Sequence, residues 1–311
     1  MKARVRGRSL RILSIFDPWG SSLCTCPRKY SLNPYTGCSI GCLYCYATAY
    51  IGVKNSTPKK DAVKRLLGDL LKADPRLPIN IGTSSDPYPP EEESIGLTRS
   101  ILEVLVPAGR RLLITTKGVL YATRDRELLA SGNVAITPSI SIYDEGMARL
   151  VEPSAPSTRE RIEAVRAAVS AGIPVGVRVD PVIPYVNDDP HMLRDLVERV
   201  AEAGATFIVT STYKARPDNL ARMRRLPEIG EKIYRLYREH GVRVNGYLYL
   251  PRDMRVRLLK PVVDAARQLG LEYATCREDL HGPEWWRAGS CDGVHLIPDR
   301  VRPRGVLEGW M

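Results

Sequence analysis

The sequence has no run of about 18 apolar residues, so it offers no transmembrane helix. Its Arg-rich start, with Lys2, Arg4, Arg6, Arg8 and Arg11, has no apolar core behind it and does not read as a secretory signal. No short self-similar repeat is apparent. These absences lead us to expect a cytoplasmic protein with no membrane partner. In that compartment seven cysteines serve metal or redox chemistry sooner than a disulfide framework. Histidine is scarce too, at four residues; His281 and His295 are spare candidate ligands, although a lone histidine is more often structural.

What is present is a chain of 311 residues with 44% hydrophobic content, enough to bury a full core as one α/β barrel-like domain with short extensions. The formal net charge is +11, and arginine dominates it through Arg216, Arg222, Arg224, Arg225, Arg235, Arg238, Arg243, Arg252, Arg255 and Arg257. Such a balance favours polyanionic partners held in a salt-sensitive way. It fits a solvated face on a heat-adapted protein equally well.

Along the chain, residues 1–30 read as a basic, loop-rich N-terminal cap, 31–242 as the core and 243–311 as a C-terminal extension. Thr57 reads as an N-cap with Pro58 in the first turn of a helix carried by Ala62, Val63, Leu66, Leu67, Leu70 and Leu71. Strands over 79–82, 111–116, 134–142, 175–182 and 206–210 then alternate with helices over 94–106, 124–130, 158–171 and 190–203. A basic helical region over 220–240 is interrupted at Pro227. With a strand before Cys38, this repetition predicts an α/β fold: a parallel sheet of six strands with helices outside, an open partial (β/α)6 TIM-like barrel. Functional residues are expected at the carboxyl ends of its strands. The extension reads as βαβ-like, with strands over 244–250 and 271–276 around a helix ending at Gln268.

The chemistry concentrates in Asn33-Pro34-Tyr35-Thr36-Gly37-Cys38-Ser39-Ile40-Gly41-Cys42-Leu43-Tyr44-Cys45-Tyr46-Ala47, where three cysteines are spaced C-x3-C-x2-C. A [4Fe-4S] cluster and a structural zinc ion both normally take four protein ligands. Three thiolates therefore suggest a cluster with one iron left open, with a zinc half-knuckle or three buried thiols as the plainer alternatives. Gly37 and Gly41 let the backbone bend around a bulky core, and Tyr35, Tyr44 and Tyr46 can wall it from water.

This segment resembles the radical S-adenosylmethionine (radical SAM) enzymes, whose signature is this spacing with an aromatic residue before the third cysteine, here Tyr44. More narrowly it resembles the branch related to spore photoproduct lyase, described as DNA-repair-photolyase-like. The resemblance spans roughly residues 30–210 and implies the same open barrel. It also implies that Cys38, Cys42 and Cys45 are the catalytic cluster ligands, that S-adenosyl-L-methionine is the cofactor, and that a one-electron reductant is a partner.

Further matches suggest a cofactor cradle. Thr83-Ser84-Ser85-Asp86-Pro87-Tyr88-Pro89-Pro90-Glu91 resembles the family's T-D-P-Y-Q-P-x-E element, with Pro89 where Gln is usual; Thr83, Ser84 and Asp86 would bind the cofactor's ammonium group. A proline-rich turn that merely caps the next helix fits the same residues. Thr116-Lys117 with Arg124-Asp125 resembles the T-K…R-D element, and Lys117 would pair with the cofactor's carboxylate unless it is a solvated loop lysine. Ser139, Ser141 and Asp144 would hydrogen-bond a ribose. Glu152-Pro153 through Arg161 resembles E-P-x-x-P…R, with Arg161 reaching a carboxylate; Ser157 or Thr158 as an N-cap explains part of this. Pro181 to Asp188 resembles P-x-I-P-G-x-N-D, with Tyr185 and Val186 in the glycine region.

Spore photoproduct lyase carries a cysteine hydrogen donor just before its T-S-D stretch, where this sequence has Thr83. A hydroxyl is a much poorer hydrogen-atom donor than a thiol, so thymine-dimer reversal itself is not expected here.

Four cysteines remain: Cys24, Cys26, Cys276 and Cys291. If the chain ends meet at the barrel mouth, they are the number needed for an auxiliary iron-sulfur cluster or zinc ion; isolated thiols or a disulfide are the alternatives. Trp285-Trp286 with Arg302 and Arg304 would stack bases beside phosphates, or pack a terminal loop over the barrel. The function read from the sequence is therefore radical cleavage of S-adenosylmethionine for hydrogen abstraction from a substrate, with nucleic acid favoured. A peptide, lipid or small metabolite is the second substrate reading. A non-catalytic iron-sulfur or zinc nucleic-acid-binding protein is the alternative from another class.

Overall fold

The structure is a computed structural model, and it describes residues 10–16 and 23–301. Its centre is an arc of seven parallel strands in sequence order: β1 (Tyr30–Leu32), β2 (Ile79–Ile81), β3 (Leu112–Thr116), β4 (Val134–Pro138), β5 (Gly176–Val182), β6 (Phe207–Thr212) and β7 (Glu272–Thr275). Leu32 lies beside Ile81, Ile81 beside Ile114 and Ile114 beside Ile136. Isolated parallel bridges from Ile136 to Val175 and from Ser139 to Arg178 carry the arc from β4 to β5. Strands such as β4 and β6 are buried at every position, as expected of a parallel sheet covered on both faces. Among the described residues β7 and β1 do not pair, so the barrel is open along that seam. A short antiparallel strand, Ser14–Ile15, lies outside β1.

The helices α1 (Ala62–Leu70), α2 (Leu97–Leu105), α3 (Arg126–Ala130), α4 (Thr158–Ser170), α5 (Pro190–Glu202), α6 (Gly230–His240) and α7 (Arg252–Gln268) follow the strands. Alternate residues of a strand face opposite ways. Leu112 and Ile114 of β3 belong to the main helix-facing core, whereas Leu113, with Ala135 of β4, packs against Val294 and Ile297 inside the barrel. The C-terminal stretch thus plugs the barrel interior. Gly293, at φ +94°, is required there, because a Cβ would stand 2.6 Å from Thr137.

The six expected strands are present, and the stretch set apart in the sequence as an extension supplies a seventh, β7, paired in parallel with β6. Four local expectations change. The strand expected over 244–250 is instead a hairpin: Asn245 and Gly246 turn the chain, and Val242–Val244 pairs antiparallel with Tyr247–Tyr249. Thr57–Pro58 does not start a helix; it pairs with Tyr35–Thr36, and α1 begins at Ala62. The helix expected over 94–106 is broken at Gly96, which takes a left-handed conformation. The strand expected over 134–142 ends at Pro138, after which Asn187 donates a hydrogen bond to the Ser141 carbonyl. Among the described residues no helix is long and apolar enough to cross a membrane.

Candidate functional site

The carboxyl ends of the strands surround a cavity of about 250 Å³. Cys38, Cys42 and Cys45 line it together, all three as free thiols on one loop. The loop is shaped by Gly37, whose φ of +81° and 2.4 Å separation of a built Cβ from the Asn55 carbonyl leave no room for a side chain. It is tied down from the other side by Arg222, which donates to the carbonyls of Leu43 (3.1 Å) and Cys45 (2.9 Å) and to the Thr48 hydroxyl (2.7 Å). In the sequence Arg222 was one of a run of surface arginines; nothing but the fold reveals this anchoring.

A buried charge network backs the triad. Glu152 receives the Tyr44 hydroxyl, pairs with Arg161 at 2.8 Å and faces Lys117 at 3.8 Å. Burial pushes the Glu152 carboxyl up, but Arg161, Lys117 and the Tyr44 hydrogen bond outweigh it and hold it below its ordinary value. Lys117 sits over the Tyr44 ring at 5.4 Å, and although burial works against its charge, Cys42 and Glu152 raise it above the usual lysine value. Burial raises the Cys42 thiol and pushes Cys38 up to about 11, an opposition to ionisation that a bound metal would overcome.

The other predicted cradle residues divide. Thr83 and Ser84 line the cavity, held by Asn33, which donates to the Thr83 hydroxyl and accepts from the Ser84 amide at 2.8 Å. Asp86 also lines it, accepting from the Thr116 hydroxyl and the Lys117 amide (2.7 Å). Arg161 and Ser141 do not line it: Arg161 is 1% exposed, paired with Glu152 and donating to the Ser139 carbonyl, and Ser141 is fully buried. Asp144 caps a helix at Met147, and Ser157 with Glu160 forms the capping box of α4. Tyr185 takes φ +65° itself where the family pattern has glycine, its amide donating to Asp188 at 2.9 Å.

On the β5–β7 side a second ionic set backs the cavity. Arg178 pairs with Asp180, which also receives the Ser211 hydroxyl; Lys214 reaches Glu278 at 2.9 Å, and Arg255 reaches the same carboxylate at 3.0 Å. At the lip Tyr46 stands 6.4 Å from Tyr247, and Arg216 and Arg277 each lie 4.8 Å from the Tyr247 ring.

Cys24, Cys26, Cys276 and Cys291 come together although up to 267 residues separate them in the chain. Cys26 and Cys291 sulfurs are 3.6 Å apart, and the Cys24 and Cys26 thiols hydrogen-bond. Hydrogen bonds from Cys24 and Cys291 and the charges of Lys29 and Arg178 hold Cys26 far below an ordinary thiol. His281 pairs with Asp279 and His295 with Glu272 and Ser290, which are structural contacts. Trp285 is buried in the core and Trp286 donates to the Ala288 carbonyl, so the pair packs a loop; Arg302 and Arg304 lie outside the described residues.

Among the described residues no three or more His, Cys, Asp or Glu side chains meet at a single-ion position. Three free thiols on one cavity wall, with the Lys117 ammonium behind them, fit a cluster whose several irons hold its thiolates apart.

The Radical SAM superfamily model matches residues 32–197, just over half the chain. An uncharacterized protein of Mycobacterium tuberculosis is 30% identical over 243 residues, covering 68% of this chain and 71% of that one. An uncharacterized protein of Methanocaldococcus jannaschii is 30% identical over 178 residues, covering 53% and 64%. Among solved structures, a spore photoproduct lyase mutant with dinucleoside spore photoproduct superposes with TM-score 0.60 at 16% identity, covering 86% of this chain and 79% of that one. Streptococcus suis SuiB bound to S-adenosylmethionine gives 0.51 at 16% identity, covering 79% and 49%. At those identities the likeness is one of fold.

Proposed function

Taking as premise that the chain belongs to the radical SAM superfamily and is a radical SAM enzyme, we propose that its substrate is a nucleic acid. The family uses a [4Fe-4S] cluster and S-adenosylmethionine, and Cys38, Cys42 and Cys45 are the residues that would hold the cluster. When bound and reduced, that pair supplies a 5′-deoxyadenosyl radical able to abstract hydrogen.

The chain's own residues do the rest. Tyr44 and Glu152 close the wall behind the triad. Lys117 offsets thiolate charge, and Asp86, already accepting from Thr116 and Lys117, fixes the loop beside Cys38. Thr83 presents a hydroxyl rather than a thiol, so quenching of a substrate radical by this position, and with it dimer reversal, is not part of the reading.

The observation that carries the substrate class is the lip: Tyr46, 37% exposed, offers an aromatic face beside the guanidinium groups of Arg277 and Arg216, which flank the buried Tyr247 ring, and such a pairing stacks a base and neutralises phosphates. The net charge of +11 agrees. Spore photoproduct lyase, one of the fold neighbours, has been solved as a mutant with dinucleoside spore photoproduct.

The test is anaerobic. Reconstituted protein, given dithionite and S-adenosylmethionine, should release 5′-deoxyadenosine, and a labelled single-stranded oligonucleotide should bind with an affinity that falls steeply with salt. Arg277→Ala should weaken that binding by about tenfold, an estimate for one cation–π and phosphate contact. No binding at low salt would overturn the nucleic-acid reading while leaving cofactor cleavage intact. A peptide then becomes the substrate class to test, since SuiB has been solved with its precursor peptide.

A further inference from the structure

We propose that Cys24, Cys26, Cys276 and Cys291 form a second metal centre, a four-thiolate site that clasps the open seam of the barrel. The four come from segments on either side of that seam. Cys24 and Cys26 precede β1, Cys276 follows β7, and Cys291 belongs to the stretch that plugs the interior. All four lie outside residues 32–197, so the family match does not account for them.

Cys26, Cys276 and Cys291 pack in one cluster with Phe207, Val209 and Ala274 from the inner faces of β6 and β7. The 3.6 Å between the Cys26 and Cys291 sulfurs is close to the edge of a tetrahedron with metal–sulfur bonds of about 2.3 Å, roughly 3.8 Å. None of the four is in a disulfide. The apolar packing is broken by cations near the sulfurs: Lys29, fully buried and paired with Asp292, and Arg178 and Lys214. Those cations offset the charge that four thiolates bring. The four sulfurs are gathered rather than closed around an ion, and the same is true of the triad, whose family takes a cluster.

Zinc and an iron-sulfur cluster share this ligand chemistry. Cys24, Cys26 and Cys276 also line the cavity, so either would face whatever the triad's cofactor acts on. The proposal does not depend on the substrate reading.

The test counts metal in a C38A/C42A/C45A variant, purified and reconstituted anaerobically with iron and sulfide, in parallel with zinc. We expect about one zinc, or about four iron with matching sulfide, per chain. Adding C276S and C291S should reduce that to background. A triad variant holding neither metal, metal that survives C276S/C291S, or a Cys26–Cys291 disulfide in the alkylated mass spectrum would each overturn the proposal. If the five-fold variant fails to fold, X-ray absorption on the triad variant decides: sulfur-only coordination supports the site, and oxygen or nitrogen ligands overturn it.

Discussion

The two cysteine groups of this cavity are built in opposite ways. The triad sits on one loop of eight residues, so its spacing is set by local backbone, and a distant guanidinium and a buried carboxylate network only hold it in place. The quartet has no local spacing to speak of beyond Cys24 and Cys26; its members meet only because β7 joins the sheet and the C-terminal stretch fills the barrel. The first survives as a pattern even in an unfolded chain, and the second exists only after folding. That contrast makes predictions of different size at the two ends.

The largest effect belongs to the triad itself. Cys42→Ala should abolish 5′-deoxyadenosine formation, a loss of several orders of magnitude, and remove the cluster's iron, while the folded far-UV spectrum is retained. Retention of cleavage would place the ligands elsewhere and break the comparison at its start.

Next is the network behind the triad. Glu152→Ala strands Arg161 in the core without its carboxylate, which should cost about 3–5 kcal/mol of stability, read from denaturant midpoints. The pH sign follows from the lowered Glu152 pKa. Its contribution is present above the ordinary carboxyl value of 4.5 and is lost as pH falls through the lower folded value. Wild type should therefore lose stability more steeply than the variant below about pH 4.5; parallel acid profiles would show that the carboxylate is not the stabilising partner.

The same contrast explains what could be read in advance. The triad, Thr83, Ser84, Asp86 and Lys117 lie within short motifs at strand ends, and the βα alternation fixed where those ends are. Arg161 was legible as a motif residue but not in its placement. The Glu152 carboxylate and the Ser139 carbonyl turn it inward, and only side-chain packing decides that. Arg222, Lys214, Glu278 and Lys29 carried no signal at all, because an ionic side chain looks the same in sequence whether it faces water or a buried partner. The seventh strand is legible in the sequence as a strand over 271–276 but not as part of the barrel, since parallel pairing partners are separated by long connections that hydrophobic period does not encode.

Arg222→Ala tests how far the triad depends on tertiary support. It removes donors from the Leu43 and Cys45 carbonyls, and we expect about a tenfold loss in iron retention during chelator challenge, with Arg222→Lys nearly as poor because an ammonium cannot span both carbonyls. No change in iron off-rate would mean that the loop alone sustains the cluster, sharpening the contrast with the quartet.

The smallest effect should come from Ser157→Ala at the start of α4. Ser157 accepts the Glu160 amide at 3.1 Å and completes a capping box, so its loss should cost about 1 kcal/mol of global stability. The helix carries Arg161, yet that guanidinium is fixed independently by Glu152 and by the Ser139 carbonyl at 2.9 Å. A frayed first turn therefore need not release it. Iron content and 5′-deoxyadenosine formation at 25 °C should match wild type while the unfolding midpoint drops. If cleavage falls in step with stability, the charge network is held by the helix rather than by its own pairs, and the triad end of the cavity leans on tertiary structure as heavily as the quartet end does.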